Sequence, residues 1–128
     1  MKPSINIITL AVDDLEKSLA FYRDGLGLGD ITDGGDHILF KLQGDLSLVL
    51  FLRNKFNKVI NQANTSRRIS EISLSHNADS KEEVDTILKN AQAAGGTLAT
   101  ETMEYDWGYS GYFNDIDGHL WEIVYFNK

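Results

Sequence analysis

Apolar residues alternate with small or polar ones along Ile8-Thr9-Leu10-Ala11-Val12-Asp13-Asp14 and again along Ile72-Ser73-Leu74-Ser75-His76-Asn77-Ala78. This is the period of a half-buried strand. Behind each stretch the period changes to that of an amphipathic helix. Leu15, Leu19, Tyr22 and Leu26 form the first stripe, opened by a capping-box-like pair, Asp13 and Glu16, and stopped at Gly25 or Gly27. Val84, Ile87, Leu88, Ala91 and Ala94 form the second, behind the capping box Ser80-Lys81-Glu82-Glu83 and ended by Gly95-Gly96. Strand-like segments follow each helix, at 29–32, 37–43 and 46–52 in the first half and at 97–101, 110–114 and 120–126 in the second. Gly44-Asp45 and Asp117-Gly118 make the last turns, where a positive φ is expected.

The chain thus repeats one unit: strand, helix, three strands. The predicted fold class is α+β, with two tandem βαβββ modules spanning 4–53 and 69–128. The intervening 54–68 is polar and reads as a linker, with Phe56, Val59 and Ile60 able to form a short helical turn. A module of about 55–60 residues buries little surface alone. The two halves are therefore expected to pack together, and the chain to form a homodimer.

Composition narrows the partners. The 128 residues include 12 basic and 19 acidic side chains, a formal charge of −7, and 42% of them are hydrophobic. That apolar fraction supports a packed interior, and the negative balance disfavours a phosphate backbone as partner. With no cysteine, disulfide frameworks, zinc–thiolate sites and a Cys nucleophile are excluded. Met1-Lys2-Pro3-Ser4 runs into a strand rather than a signal sequence, and no apolar run approaches the roughly 20 residues of a membrane span. A cytoplasmic protein is expected, with neither nucleic acid nor membrane as partner.

Ile8 to Leu28, with Leu15-Glu16-Lys17-Ser18-Leu19-Ala20-Phe21-Tyr22 at its centre, resembles the opening of the vicinal oxygen chelate superfamily of glyoxalases, bleomycin resistance proteins and extradiol dioxygenases. Tyr112 to Ile123 is similar to that family's closing signature, with Ile116 where a proline is usual before Asp117-Gly118 and Glu122 four residues after the glycine. The resemblance implies paired βαβββ modules curling into a cupped sheet, usually with a divalent metal at its base. It leaves the reaction open, because one fold hosts lyases, isomerases, dioxygenases and simple binders.

In metal-using members four side chains line the cup, two from first strands and two from last strands. Aligning the internal repeat puts Ile7, Leu48, Glu71 and Glu122 at those places. Two are aliphatic and offer no lone pair. The carboxylates Glu71 and Glu122 could hold a hard cation such as Mg²⁺ or Mn²⁺, but Zn²⁺, Ni²⁺ and Fe²⁺ favour imidazole. The expectation is therefore a pocket without a metal or other cofactor, the alternative being a divalent-metal lyase or isomerase that uses Glu71 and Glu122.

Glu122 lies between Trp121 and Ile123 and shares its strand face with Leu120, Val124 and Phe126. A carboxylate in such surroundings is either paired and hydrogen-bonded or carries a raised pKa suited to acid–base work. It is the candidate catalytic residue; a structural hydrogen bond to a Tyr or Trp is the other reading. His37 and His119 fall in loops. His76 lies opposite Ser73 and Ser75 by alternation and would reach a ligand only through a bulge. The stretch Tyr105-Asp106-Trp107-Gly108-Tyr109-Ser110-Gly111-Tyr112-Phe113 concentrates aromatics and glycines as a loop against a planar ligand would. It also resembles a glyoxalase-like subgroup with no established substrate. Trp107, Tyr109 and Tyr112, with Glu71 and His76, are the expected contacts to a small organic ligand.

Overall fold

The computed structural model describes residues 1–59 and 72–128. It divides into two compact units, Met1–Ser66 and Arg67–Lys128.

In the first unit, strands β1 (Ile7–Val12), β2 (Ile31–Asp33), β3 (His37–Lys41) and β4 (Ser47–Leu52) form one sheet in the order β1-β4-β3-β2, with β1 parallel to β4 and the other pairs antiparallel. Helix α1 (Leu15–Leu19) crosses between β1 and β2 and passes into a wider π turn over Ala20–Gly25. Its cap is Asp14, one residue later than the sequence pattern suggested: the carboxylate accepts the Lys17 N–H at 3.1 Å. The buried positions of this segment are Ser18, Phe21 and Tyr22, whereas Leu15, Leu19 and Leu26 are only partly covered. Tyr22 meets Phe40 of β3 at 5.9 Å, and Leu48 and Leu50 of β4 are buried in the same core. Beyond β4, Arg53–Val59 forms a helix, α2, that packs on β1 and β4. It occupies the start of the expected linker, and Ile60 lies outside the described residues.

The second unit repeats the plan. Strand β5 (Ser73–Asn77) is parallel to β9 (Leu120–Phe126), which pairs antiparallel with β8 (Gly108–Asn114). Helix α3 (Lys81–Ala93) buries Val84, Leu88 and Ala91 and packs on β8 and β9. Ser80 caps it by accepting the Glu83 N–H at 3.1 Å, while the Glu83 carboxylate accepts the Asp79 N–H at 3.1 Å. Gly44 and Gly118, in the turns before the two last strands, have φ of 71° and 89° as expected.

The two units differ along the outer strand. The second has β6 (Thr97–Leu98) and β7 (Met103–Tyr105) where one strand over 97–101 was expected, both antiparallel to β8. The register shifts between Leu98↔Phe113 and Met103↔Ser110, so two extra residues bulge out between them. There the Tyr112 carbonyl accepts the Ala99 N–H at 2.9 Å and that of Thr100 at 3.5 Å. The bulge thus grips the backbone of the residue that reaches Glu122.

Candidate functional site

Cross-strand register sorts the second unit's side chains by face. Gly111 and Phe113 on β8, Trp121 and Ile123 on β9, and Leu74 and His76 on β5 share one side. That side carries α3: a Cβ on Gly111 would come within 2.6 Å of the end of the Leu88 side chain, so the two pack in close contact. Phe113 and Trp121 stack there at 6.1 Å. Ser73, Ser75 and Asn77, Ser110 and Tyr112, and Leu120, Glu122, Val124 and Phe126 take the opposite face.

On that opposite face Ser75, Glu122 and Tyr112 stand abreast on three neighbouring strands. The Ser75 hydroxyl donates to Glu122 Oε1 at 2.8 Å and the Tyr112 hydroxyl to Oε2 at 3.0 Å. Each carboxylate oxygen is thus held by a neutral donor, and the group is half-buried rather than sealed among apolar neighbours. The bond to Glu122, reinforced by burial and by the negative charge of that carboxylate, raises the pKa of Tyr112. Among the described residues no lysine or arginine pairs with Glu122.

On the same face, four residues further along β9 at Phe126, stands an aromatic group. The β7–β8 hairpin turns over Asp106-Trp107, since Tyr105 lies opposite Gly108. Asn127 ties the turn down, its N–H donating to the Trp107 carbonyl at 2.9 Å and its side-chain amide to that of Asp106 at 3.1 Å. A Cβ on Gly108 would overlap the Tyr125 carbonyl oxygen at 2.0 Å, so the glycine permits the tight pairing beneath the turn. The Trp107 ring stacks on Tyr105 at 4.7 Å and 5° and leans on Phe126 at 5.6 Å. These rings remain accessible, at 46% for Trp107, 40% for Tyr105 and 53% for Phe126, as does Met103 at 55%. Register puts Met103 and Tyr105 on the Glu122 face, and the Tyr105 hydroxyl points to the Met103 sulfur at 3.6 Å.

The expected contacts therefore fall in different places. Trp107 and Tyr112 belong to this face. Tyr109 is a residue of β8, not of a loop; it takes the helix side and donates to Asp85 of α3 at 2.7 Å. His76 pairs with Ile123 on that same helix side, without a bulge to turn it inward. Glu71 lies outside the described residues. Leu48 needs correction: paired with Ile8 and Phe40 and 1% exposed, it belongs to the helix-facing core of the first unit. The residue in the place of Glu122 is Val49, third in its strand, flanked by Thr9 and Leu39 as Glu122 is by Ser75 and Tyr112. Aligning the two turns by their glycines slipped the repeat by one residue, and one residue reverses the face. Ser75, Tyr105, Met103 and Phe126 were not among the expected contacts. The period-2 pattern places Phe126 with Glu122, but only the bulge fixes which way Met103 and Tyr105 face.

Among the described strand residues of the second unit, the polar groups on the Glu122 face are one carboxylate, hydroxyl groups and the amides of Asn77 and Asn114. No imidazole of the second unit's strands joins them, and among the described residues no three His, Cys, Asp or Glu side chains converge. This set does not fit an ion that prefers nitrogen ligands.

The fold has many relatives. The profile of the Glyoxalase/Bleomycin resistance protein/Dioxygenase superfamily matches residues 4–123, and the chain belongs to that superfamily. It is similar to a glyoxalase-related enzyme from Fulvimarina pelagi, at 31% identity over 96% of this chain and 88% of that one, with a TM-score of 0.88. A hypothetical protein from S. aureus is 28% identical over 98% and 94% of the two chains, with a TM-score of 0.83. A lactoylglutathione lyase from Agrobacterium tumefaciens is 25% identical over 96% and 93%, with a TM-score of 0.69. No curated protein matches the sequence. Among the described residues no helix is long and apolar enough to cross a membrane.

Proposed function

We propose that the chain binds a small organic molecule on the Glu122 face of its second unit, by aromatic contact and hydrogen bonding and without a transition metal. The observation that carries this reading is the Ser75–Glu122–Tyr112 row standing on the same face as the accessible Tyr105–Trp107–Phe126 group. Aromatic rings give a ligand contact area at little entropic cost, and a fixed carboxylate orients it through a donor. Any proton transfer to a bound molecule falls to Glu122, the carboxylate of the row. The structural relatives include a lactoylglutathione lyase, so a divalent-metal lyase or isomerase using Glu71 and Glu122 is the competing reading. Two measurements on the purified chain separate them. The binding reading expects no stoichiometric Mn, Fe, Ni or Zn by elemental analysis. It also expects Trp107→Ala to abolish, or weaken about tenfold, the hits of a small-molecule thermal-shift screen. A full complement of metal, or hits indifferent to Trp107→Ala, overturns it.

A further inference from the structure

The hydroxyl hydrogens beside Glu122 are already committed. A serine or tyrosine hydroxyl has one hydrogen to give; a carboxylate has none and accepts about four bonds. Ser75 gives its hydrogen to Oε1 at 2.8 Å and Tyr112 gives its own to Oε2 at 3.0 Å. The two stand on the strands either side of β9, so each oxygen is held from its own side. The raised pKa of Tyr112 keeps its hydrogen on that bond at neutral pH. Asn114, the next residue on this face of β8, directs an amide N–H to the Gly118 carbonyl at 3.2 Å. The amide of Asn77, the next same-face residue of β5, lies further along, beside Val124.

What the row presents to a ligand is therefore lone pairs. Each oxygen of Glu122 keeps room for about one further bond, and the hydroxyl oxygens of Ser75 and Tyr112 can also accept. A ligand carbonyl, carboxylate or phosphate placed against the row needs a donor from it. Supplying one means breaking a hydrogen bond to a charged acceptor, which is the stronger kind. A ligand that brings its own donors breaks nothing. Two acceptor positions on one carboxylate suit two parallel N–H groups, the arrangement that makes bidentate pairing with carboxylates strong.

We infer that the molecule bound on this face meets the row as a hydrogen-bond donor: its Glu122 end carries a fork of two parallel N–H groups, as a urea does. This rests on the small-molecule reading above and adds the chemistry of the end that meets Glu122. The aromatic group has no part in that contact, because Phe126 stands four residues along β9, about 13 Å away.

Calorimetric titration of the full chain with a graded series of neutral probes tests it. Phenylurea offers two parallel N–H groups, 1,1-dimethyl-3-phenylurea one, and 1,1,3-trimethyl-3-phenylurea none. Affinity is expected to fall roughly tenfold at each step, although each methyl adds apolar area that would favour binding. Glu122→Gln turns one acceptor oxygen into an N–H donor. It should weaken phenylurea about tenfold or more and leave the trimethylated urea within a factor of about two. Because that variant also alters the hydrogen-bonded row, Glu122→Asp serves as a second one. It keeps the carboxylate and should keep the order of the three ureas at lower affinity. The trimethylated urea binding as tightly as phenylurea, or the same order in Glu122→Gln as in Glu122→Asp, overturns the donor assignment. Failure of phenylurea to bind at millimolar concentration overturns it too. Each of these leaves the small-molecule reading standing on its Trp107-dependent screen hits. Hits indifferent to Trp107→Ala overturn that reading instead, whatever the order of the ureas.

Discussion

The two units share a plan and differ in what they do with one face of it. On the helix side each buries an apolar core: Phe40, Leu48 and Leu50 beneath α1, Phe113 and Ile123 beneath α3. On the other side, equivalent rows read Thr9–Val49–Leu39 in the first unit and Ser75–Glu122–Tyr112 in the second. Two aliphatic side chains and a threonine can do little beyond pack. A carboxylate between two hydroxyl donors can orient a ligand. Strand alternation makes the divergence possible, because every second residue can change without touching the core that holds the helix. The outer strand diverges with it: the bulge between β6 and β7 exists only in the second unit, beside Tyr112.

The sharpest way to break this comparison is to exchange chemistry between adjacent positions. Leu48→Glu puts a carboxylate into the helix-facing core of the first unit, with no partner there. The expected cost is about 3–5 kcal/mol, a large part of the total stability of a domain this size. Val49→Glu puts the same group one residue along, on the other face, where Val49 is only half-buried. That change is expected to cost about 1–2 kcal/mol. Urea denaturation of the two variants measures the difference. Equal losses would mean that the two faces of the first unit are not distinct environments.

How much of this could be read along the chain follows from which interactions are local. Caps and turns are local, so Ser80 with Glu83, Gly44 and Gly118 stand where the pattern put them. Strand faces are semi-local: alternation placed Glu122 with Phe126 and set His76 opposite Ser75, as the register has them. Matching two halves requires an anchor, and the turns were a poor one. The first strands and helix caps repeat at 66 residues (Ile7 and Ser73, Asp14 and Ser80), but the last strands start at Ser47 and Leu120, 73 residues apart, and only that anchor gives Val49 rather than Leu48 as the partner of Glu122. The hairpin that carries Trp107 read as a loop because its glycines look like turn residues. Gly108 and Gly111 are instead strand residues, small because a strand backbone and a helix side chain approach them. The π turn over Ala20–Gly25 had no signal in a 3.6-residue period.

A smaller effect tests the coupling within the row. Tyr112 carries a raised pKa because its hydroxyl donates to Glu122, with burial adding to the effect. The stability this contributes is present in full below the ordinary tyrosine value, near 10, and is lost as pH rises through the raised one. In ultraviolet titration, Tyr112→Phe should remove a tyrosine that ionises late. Glu122→Gln should move that late step back toward the ordinary value, because the acceptor no longer bears a charge. The wild-type chain should also lose more stability than Glu122→Gln over the same alkaline range. An unchanged late step in Glu122→Gln would show that the carboxylate is not the partner that holds the proton.

The smallest change concerns Tyr109, the aromatic whose position the sequence made hardest to judge. It stands three residues before Tyr112 on β8, and that odd spacing gives it the other face. Its hydroxyl donates to Asp85 of α3, a contact largely open to solvent. Tyr109→Phe keeps the ring and removes the bond, so the expected cost is about 0.5–1 kcal/mol, the low end for a hydrogen bond. Because the ring lies on the helix side, the affinity for a hit of the thermal-shift screen should stay within a factor of about two. Trp107→Phe, also a ring-preserving change but on the Glu122 face, should alter it severalfold. The two variants are therefore a matched pair: each keeps an aromatic ring, and they differ in the face of the sheet. If Tyr109→Phe weakened the hit more than Trp107→Phe, the ligand would belong on the helix side, and the division of labour between the two faces would be the reverse of the one argued here.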